Sequence, residues 1–307
     1  MTPRVGIVIL NWHGGAQTHT CIDSARAQAY ADKFVVVVDN ASGASERATL
    51  QQRYAGDADV QLCLLDDNRG YAGGNNAGIG AVLAQGAEVV LIVTQDATLA
   101  PGALATLVAA AGADPRIGVV GPQVIDARRP GHVWSVGERV SVALLCVPRT
   151  LLRHRRIRRA WYDVGGVLGC VMLLTRRCIE SIGGFDEALF AYYEEVDFCL
   201  RARRSGFRVV CAPSAIALHD GMRGFLAGFT PISAELKARN VLRLMRRWAG
   251  PLDWCVLLPT GVMLIAGSVA LYALRGRWDI VRALVRGLRA GWRGQGGPVT
   301  VVAGAGG

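Results

Sequence analysis

The residues able to do chemistry in this chain are carboxylates and amides, and they are unevenly placed. The segment YYEEVD carries Glu194, Glu195 and Asp197, three carboxylates within four residues. A carboxylate held near a hydroxyl can take its proton and make the oxygen a nucleophile. Segment 68–80, NRGYAGGNNAGIG, joins five glycines to three asparagines and Arg69. Glycine permits close backbone approach. Amides offer donors and acceptors together, as nucleobases and sugars do. Asn11, Asp39, Asn40 and Asp96 each follow an apolar run, and His219 closes VVCAPSAIALH.

The elements that must carry these residues read as an α/β pattern. VGIVIL, FVVVVD, VQLCLL, EVVLIVTQDATL and GVVGPQVI are apolar runs expected to form five buried strands. Helices are expected at about 15–29, 44–55, 77–86 and 101–112, with the glycine-rich stretch as a turn before the third. Strands alternating with helices imply a mainly parallel sheet flanked by helices. Ligands bind outside the carboxyl ends of such strands. Asn11, Asp39, Asn40, Asn68, Arg69 and Asp96 all fall there. From 125 to 163 the pattern breaks around a basic interruption, and a helix at about 193–205 precedes a strand at about 207–211.

Composition narrows the classes. Hydrophobic residues make up 51% and charged ones 19%, which supports a large core and argues against disorder. The net charge of +10 suits an anionic partner such as a nucleotide or lipid headgroup. The arginines lie mainly after residue 149, near an apolar tail, with no recognition motif beside them, so nucleic acid is not expected as a partner. The eight cysteines are scattered without CxxC pairs, as small buried thiols in a reducing cytoplasm would be. The chain enters a strand pattern at once, and no signal peptide is expected. A dinucleotide fingerprint is absent after the first strand, and Gly78-x-Gly80 lies too far into a helix to be one.

Five segments in order, IVILNWHGG, VVVDNAS, NRGYAGGNNAGI, TQDATL and GGFDEALFAYYEEVDFCLRARRSGFRV, resemble the successive motifs of the family 2 inverting glycosyltransferases. Within that family the likeness is to the bacterial rhamnosyltransferase-like enzymes, over about residues 4–245. The resemblance implies the GT-A fold with a Rossmann-like nucleotide-binding half, a nucleotide-diphospho-sugar donor, and Mn²⁺ or Mg²⁺. By similarity, Asp39 would bind the pyrimidine ring, with Asn11 and Asn40 lining that pocket. Asn68, Arg69 and Asn76 would contact the nucleotide or its phosphates. Gly70, Gly73 and Gly74 would let the backbone lie against it. Asp39 and Asn40 could also simply cap a turn, and Asn75 a helix.

The family's Asp-x-Asp or Asn-x-Asp appears here as Thr94-Gln95-Asp96, with one carboxylate left. Asp96 and His219 are the expected metal ligands, with Gln95 beside the donor. The family's Glu-Asp reads Glu194-Glu195, which makes Glu195 the expected general base. Glu194, about 100° away on a helix, would touch the donor sugar or shape the turn. Asp197 can pair with Arg201 at i, i+4.

The expected organisation is a catalytic domain over 1–245, divided into a nucleotide-sugar half (1–122) and an acceptor half (123–245), then a helical tail over 246–307. Residues 254–274 carry no charge and approach the length of a membrane span. Pro259, Gly261 and Gly267 favour a re-entrant or interfacial hairpin over a straight span. In 278–293, Arg282, Arg286, Arg289 and Arg293 form a basic stripe beside Val281, Val285, Leu288 and Trp292, the pattern of an interfacial helix. Packing on the protein or on a second subunit is the other reading, and self-association is compatible with it. The donor expected is dTDP-rhamnose, with UDP-sugars also open. The acceptor expected is a glycan or polyprenyl-linked sugar at the cytoplasmic face of the plasma membrane, bound by a peripheral or monotopic enzyme. The competing class is a non-catalytic nucleotide-sugar or polysaccharide-binding subunit of a membrane complex.

Overall fold

The computed structural model describes residues 2–129, 131–141, 149–150, 159–220 and 230–299. Residues 151–158 of the basic interruption lie outside them, as do residues 221–229, Cys146 and the last eight residues.

The chain runs β1 (Val5–Asn11), α1 (Ala16–Arg26), β2 (Lys33–Asn40), α2 (Ala44–Tyr54), β3 (Val60–Leu65), α3 (Gly70–Ala84), β4 (Val89–Thr94), β5 (Ala97–Leu99), α4 (Ala103–Gly112) and β6 (Ile117–Asp126). The short strands β7 (Val133–Ser135), β8 (Glu138–Arg139), β9 (Arg149–Thr150) and β10 (Tyr162–Asp163) follow. Then come β11 (Val171–Thr175), α5 (Arg176–Ile182), α6 (Glu194–Arg204), β12 (Arg208–His219), α7 (Pro231–Trp248), α8 (Pro251–Leu274) and α9 (Trp278–Trp292). These elements form two compact units. The first holds the described residues of Met1–Arg139, Pro148–Phe185 and Glu195–Met222; the second holds those of Asp186–Glu194 and of 223–307, with the stretch around 140.

The first unit is built on one sheet in the order β10-β12-β6-β11-β4-β1-β2-β3, with β5 beside β12 and β7 beside β6. β1 to β4 are parallel to one another, and β12 is parallel to β6. β11 enters antiparallel between β4 and β6. Along β1, Ile7 and Ile9 face a core with Cys21, Ile22, Leu50, Leu104 and Leu107. Val8 and Leu10 face the other core, with Ile79, Val82, Phe198 and Cys199. Both faces are therefore covered, which is why the strands read as unbroken apolar runs.

The glycine-rich stretch is not a turn. α3 begins at Gly70, whose φ of +69° turns the chain into the helix, and the remaining glycines lie inside it. A methyl group at Gly74 would come 2.5 Å from Leu10 Cδ1, and one at Gly78 would strike Val8 and Val38. These two glycines let α3 settle onto β1 and β2, so helix–sheet packing accounts for Gly74 where nucleotide contact was expected. The expected fourth strand is two, β4 and β5, broken at Gln95-Asp96. The strand expected at 207–211 extends to His219.

In the second unit, α7 packs along α9. Gly287 lies against the Glu235 carbonyl and Gly291 against the Arg239 carbonyl, contacts that a side chain would block. The buried face of α9 is Ile280, Val281, Ala283, Gly287 and Gly291. Small residues thus dock α9 on α7, while Trp278 and Trp292 stay exposed. α8 is one continuous helix of 24 residues despite Pro259, so the expected hairpin does not form. A proline inside a helix costs a backbone hydrogen bond and a local bend, and need not end it. Only 11% of its most apolar window is buried within the protein.

The second unit also holds the chain leading into α6. Phe190, Tyr192 and Tyr193 all have φ between +63° and +74°, unusual for aromatic residues. Asn240 donates to the carbonyls of Leu189, Ala191 and Tyr192, each at 2.8 Å. Arg239, 2% exposed, donates to the carbonyls of Leu189 at 3.0 Å and Gly297 at 2.6 Å.

Candidate active site

At the carboxyl end of β1 and β2, Asn11 and Asp39 are register partners. Asn11 donates to Asp39 Oδ1 and to Ser42 Oγ, both at 3.0 Å, and accepts from Thr18 Oγ1 at 2.5 Å. Asp39 is fully buried, and its other oxygen takes Arg47 Nε at 3.3 Å. Sequence reading missed Arg47; its only signal was a cation about one turn into the helix after Asp39. The pair is preset: a carboxylate has about four lone-pair sites, so Asp39 keeps capacity for one more donor.

Asn40 donates to Asn68 Oδ1 and to the Gly70 carbonyl, both at 3.0 Å, and accepts from the Arg69 backbone at 2.9 Å. Asn68 accepts from Gly70 N at 2.8 Å. Asn40 and Asn68 thus fix the bend that opens α3, and the Arg69 side chain is left exposed above it. Asn76 is placed elsewhere. Its amide grips the Phe185 backbone at both ends, at 2.9 and 2.8 Å. Asn75 is buried and donates to the Tyr71 carbonyl at 2.9 Å, while its Oδ1 has no partner.

Gln95 grips Trp12 in the same two-ended way, accepting from its N–H at 2.5 Å and donating to its carbonyl at 2.9 Å. This ties the end of β4 to the residue after Asn11. Asp96 follows, and its Oδ1 lies 3.1 Å from His219 Nε2. The meeting is made by β5 and β12, whose antiparallel pairing sets Ala97 opposite His219. Burial pushes the Asp96 carboxyl up, but the hydrogen bond and charge of His219, with a further bond from Thr94, outweigh it and hold the group below its usual range. His219 packs against Trp134 with ring centres 5.9 Å apart, and its Nδ1 is buried without a partner. No group of three metal-ligating side chains occurs among the described residues.

At the start of α6, Glu194 is buried with its Oε2 lacking a hydrogen bond, and Glu195 is partly exposed. Asp197 pairs with Arg201 at 2.7 Å, and Arg201 also donates to the carbonyls of Ile182 and Gly184. Asp197 is thereby occupied in the fold. A second acid, Glu138 on β8, went unremarked in the sequence. It is 1% exposed, its Oε2 has no partner, and burial together with the Glu195 charge pushes its carboxyl up to about 8. The buried Cys170 thiol is raised by burial first, then by Asp96 and, more weakly, by Glu138. The Cys170 carbonyl accepts from Thr94 N at 2.9 Å, two residues before Asp96, and a methyl group at the adjacent Gly169 would come 3.6 Å from Glu195 Cβ; Gln95 joins this stretch to Trp12, next to Asn11.

Residues 3–250 match the family described as glycosyltransferase like family 2. The chain belongs to this family. It is 27% identical over 281 residues to N-acetylglucosaminyl-diphospho-decaprenol L-rhamnosyltransferase of Mycobacterium tuberculosis, covering 83% of this chain and 89% of that protein. It is 25% identical over 229 residues to dTDP-rhamnosyl transferase RfbF of Shigella flexneri, covering 71% and 73%. It is thus a rhamnosyltransferase-like family 2 protein. Among solved structures it resembles GalNAc-T7 with UDP, GalNAc and Mn²⁺ (TM-score 0.67, 15% identity, 83% of this chain but half of that one). It also resembles mannosyltransferase PcManGT of Pyrobaculum calidifontis with GDP-Man and Mn²⁺ (TM-score 0.59, 18% identity, 95% and 88%). At these identities the likeness establishes the expected GT-A fold.

Proposed function

We propose that this glycosyltransferase moves rhamnose, with inversion, from dTDP-rhamnose to a hydroxyl of a lipid-linked or cell-surface glycan. The observation that carries the reading is the pairing of Asp96 with His219 just after β4, and it is supported by a partly exposed Glu195 beside Gly169, the residue before the Cys170 that bonds Thr94. The two rhamnosyltransferases among its relatives support the sugar, and the decaprenol in one of their names supports a lipid carrier.

In this reading Asp39 accepts the imide N–H of the pyrimidine, oriented by Asn11 and Arg47. Arg69, exposed at the mouth of α3, offers its charge to the diphosphate. Glu195 takes the proton from the acceptor hydroxyl as that oxygen attacks the anomeric carbon from the face opposite the leaving diphosphate. Asp96 and His219 fit a divalent cation: they present one carboxylate held ionised and one imidazole, and a cation would replace the proton shared between them. With two protein groups, its remaining ligands would come from the diphosphate and water, as such ions favour. When bound, the metal neutralises charge on the leaving group. α8 is about 36 Å long at 1.5 Å per residue, enough to cross a bilayer core. Its exposed Leu258, Val262, Met263 and Leu264 suit attachment at the cytoplasmic face, beside a lipid-linked acceptor.

The test is a panel of nucleotide sugars, read by thermal shift with Mn²⁺ and by transfer to a polyprenyl-diphospho-sugar. The reading expects dTDP-rhamnose to stabilise the protein most and to be consumed. Preference for another sugar would replace the donor; binding without any transfer would return the protein to a binding role.

A further inference from the structure

The chain leading into α6 displays an aromatic residue from a backbone that is costly to hold. Phe190, Tyr192 and Tyr193 have φ of +63°, +72° and +74°, a region that bulky side chains rarely adopt. Phe190 and Tyr193 are half-buried, but Tyr192 stays 39% exposed. Donors on α7 and after α9 fix the segment carbonyl by carbonyl. Asn240 bonds those of Leu189, Ala191 and Tyr192, Arg239 bonds that of Leu189, and Gly297 N donates to that of Ala188 at 2.8 Å. A conformation this unusual persists only where its surroundings over-determine it, and such places gather at ligand sites. Here the strain does not serve to bury Tyr192, which remains open to solvent.

Lys237, on α7, sets its ammonium 4.6 Å from the centre of the Tyr192 ring. An aromatic face offers apolar area to the C–H face of a sugar, and its phenol a polar edge. A lysine ammonium meets a phosphate as a point charge. Side by side, the two groups match a sugar that carries phosphate.

We propose that Tyr192 and Lys237 form the subsite for the diphospho-sugar end of an isoprenoid-linked acceptor, the ring stacking on the sugar and the ammonium meeting its diphosphate. A nucleotide-sugar donor has the same pair of groups, but the residues assigned to it, Asp39, Arg69 and Asp96, all belong to the first unit. Tyr192 and Lys237 belong to the second, which also contains the apolar α8. Tyr192 stands three residues before Glu195, so no more than about 11 Å of chain separates it from the proposed base. The inference rests on the reading above for the reaction, and deepens it by naming what holds the acceptor.

The experiment measures equilibrium binding of two probes to the full chain in detergent. One is farnesyl-diphospho-N-acetylglucosamine, with the sugar that a relative's name contains; the other is farnesyl diphosphate. The wild type should bind the first more tightly. Tyr192→Ala should weaken the first by about fivefold or more and leave the second unchanged, and Tyr192→Phe should restore it. Lys237→Met keeps the apolar stem and should weaken both by about tenfold or more. Neither Tyr192→Ala nor Lys237→Met should move the affinity for the nucleotide sugar that the panel above selects. In transfer, both should raise the acceptor KM and leave the donor KM in place.

Equal affinity of the wild type for the two probes overturns the subsite. So does an equal loss for the nucleotide sugar. Unchanged probe binding in Lys237→Met also overturns it, and weaker flotation of that variant with anionic vesicles would then give the ammonium to lipid headgroups. The wild-type and Lys237→Met arms stand even where Tyr192→Ala does not fold. Absence of transfer in the wild type would count against the proposed function instead, and the two probes would still decide the subsite.

Discussion

His219 Nε2 meets Asp96 Oδ1 at 3.1 Å because β12 runs its last residue alongside β5, directly after the break at Gln95-Asp96. The two groups are one unit, and altering either removes a partner from the other.

Metal dependence should therefore follow both residues. EDTA should stop transfer, and Mn²⁺ should restore it. Outer partners of metal ligands are already worth about 10- to 100-fold in affinity. Asp96→Asn and His219→Ala should each raise the half-saturating Mn²⁺ at least that far, read by titrating activity. A wild-type Mn²⁺ response in both variants would remove these residues from the metal site.

The glycines of α3 make a stability prediction. Gly78→Ala drives a methyl into Val8 and Val38, an overpacking that costs about 1–3 kcal/mol. Gly80→Ala meets nothing within 4 Å and should stabilise by about 0.5–1 kcal/mol. Urea unfolding of the two variants checks this. Equal effects would mean that α3 does not sit on the sheet by virtue of its glycines.

Asn240→Ala strips donors from three carbonyls of a segment with three positive-φ aromatic residues. A loss of about 1–3 kcal/mol is expected. A change below about 0.5 kcal/mol, as for ordinary surface sites, would show that the segment holds itself.

α8 should bind membranes. The full chain should float with anionic phospholipid vesicles. Val262→Asp with Met263→Asp should release it, since a charge at the centre of a span costs about 2.5–3.5 kcal/mol. Flotation unchanged by both charges would place the attachment elsewhere.

Much of this was legible in the sequence where contacts are local. β1 to β4 and the helices between them announce themselves because the sheet faces are largely buried and most strand residues are apolar. Asn11, Asp39 and Asp96 could be placed at strand ends by that pattern alone. The start of α3 was not legible, because glycine usually marks a turn and here serves close packing. The antiparallel insertion of β11 and the grip of Asn76 on Phe185 depend on pairings far apart in sequence, which no local pattern encodes. Glu138 gave no signal at all: an isolated acid in VGERV reads as surface until its enclosure is seen. The tail misled in two ways. Pro259 and its glycines resemble breaks but do not end the helix, and the stripe on α9 hid a small-residue face that docks on α7.

The central claim is that Glu195 is the base of the transfer, and Glu195→Gln tests it most directly. The substitution keeps shape and removes the charge. Nucleotide-sugar binding by thermal shift should persist, while kcat falls at least about 100-fold, the lower bound for losing a general base. Near-normal turnover with the donor bound would contradict the account.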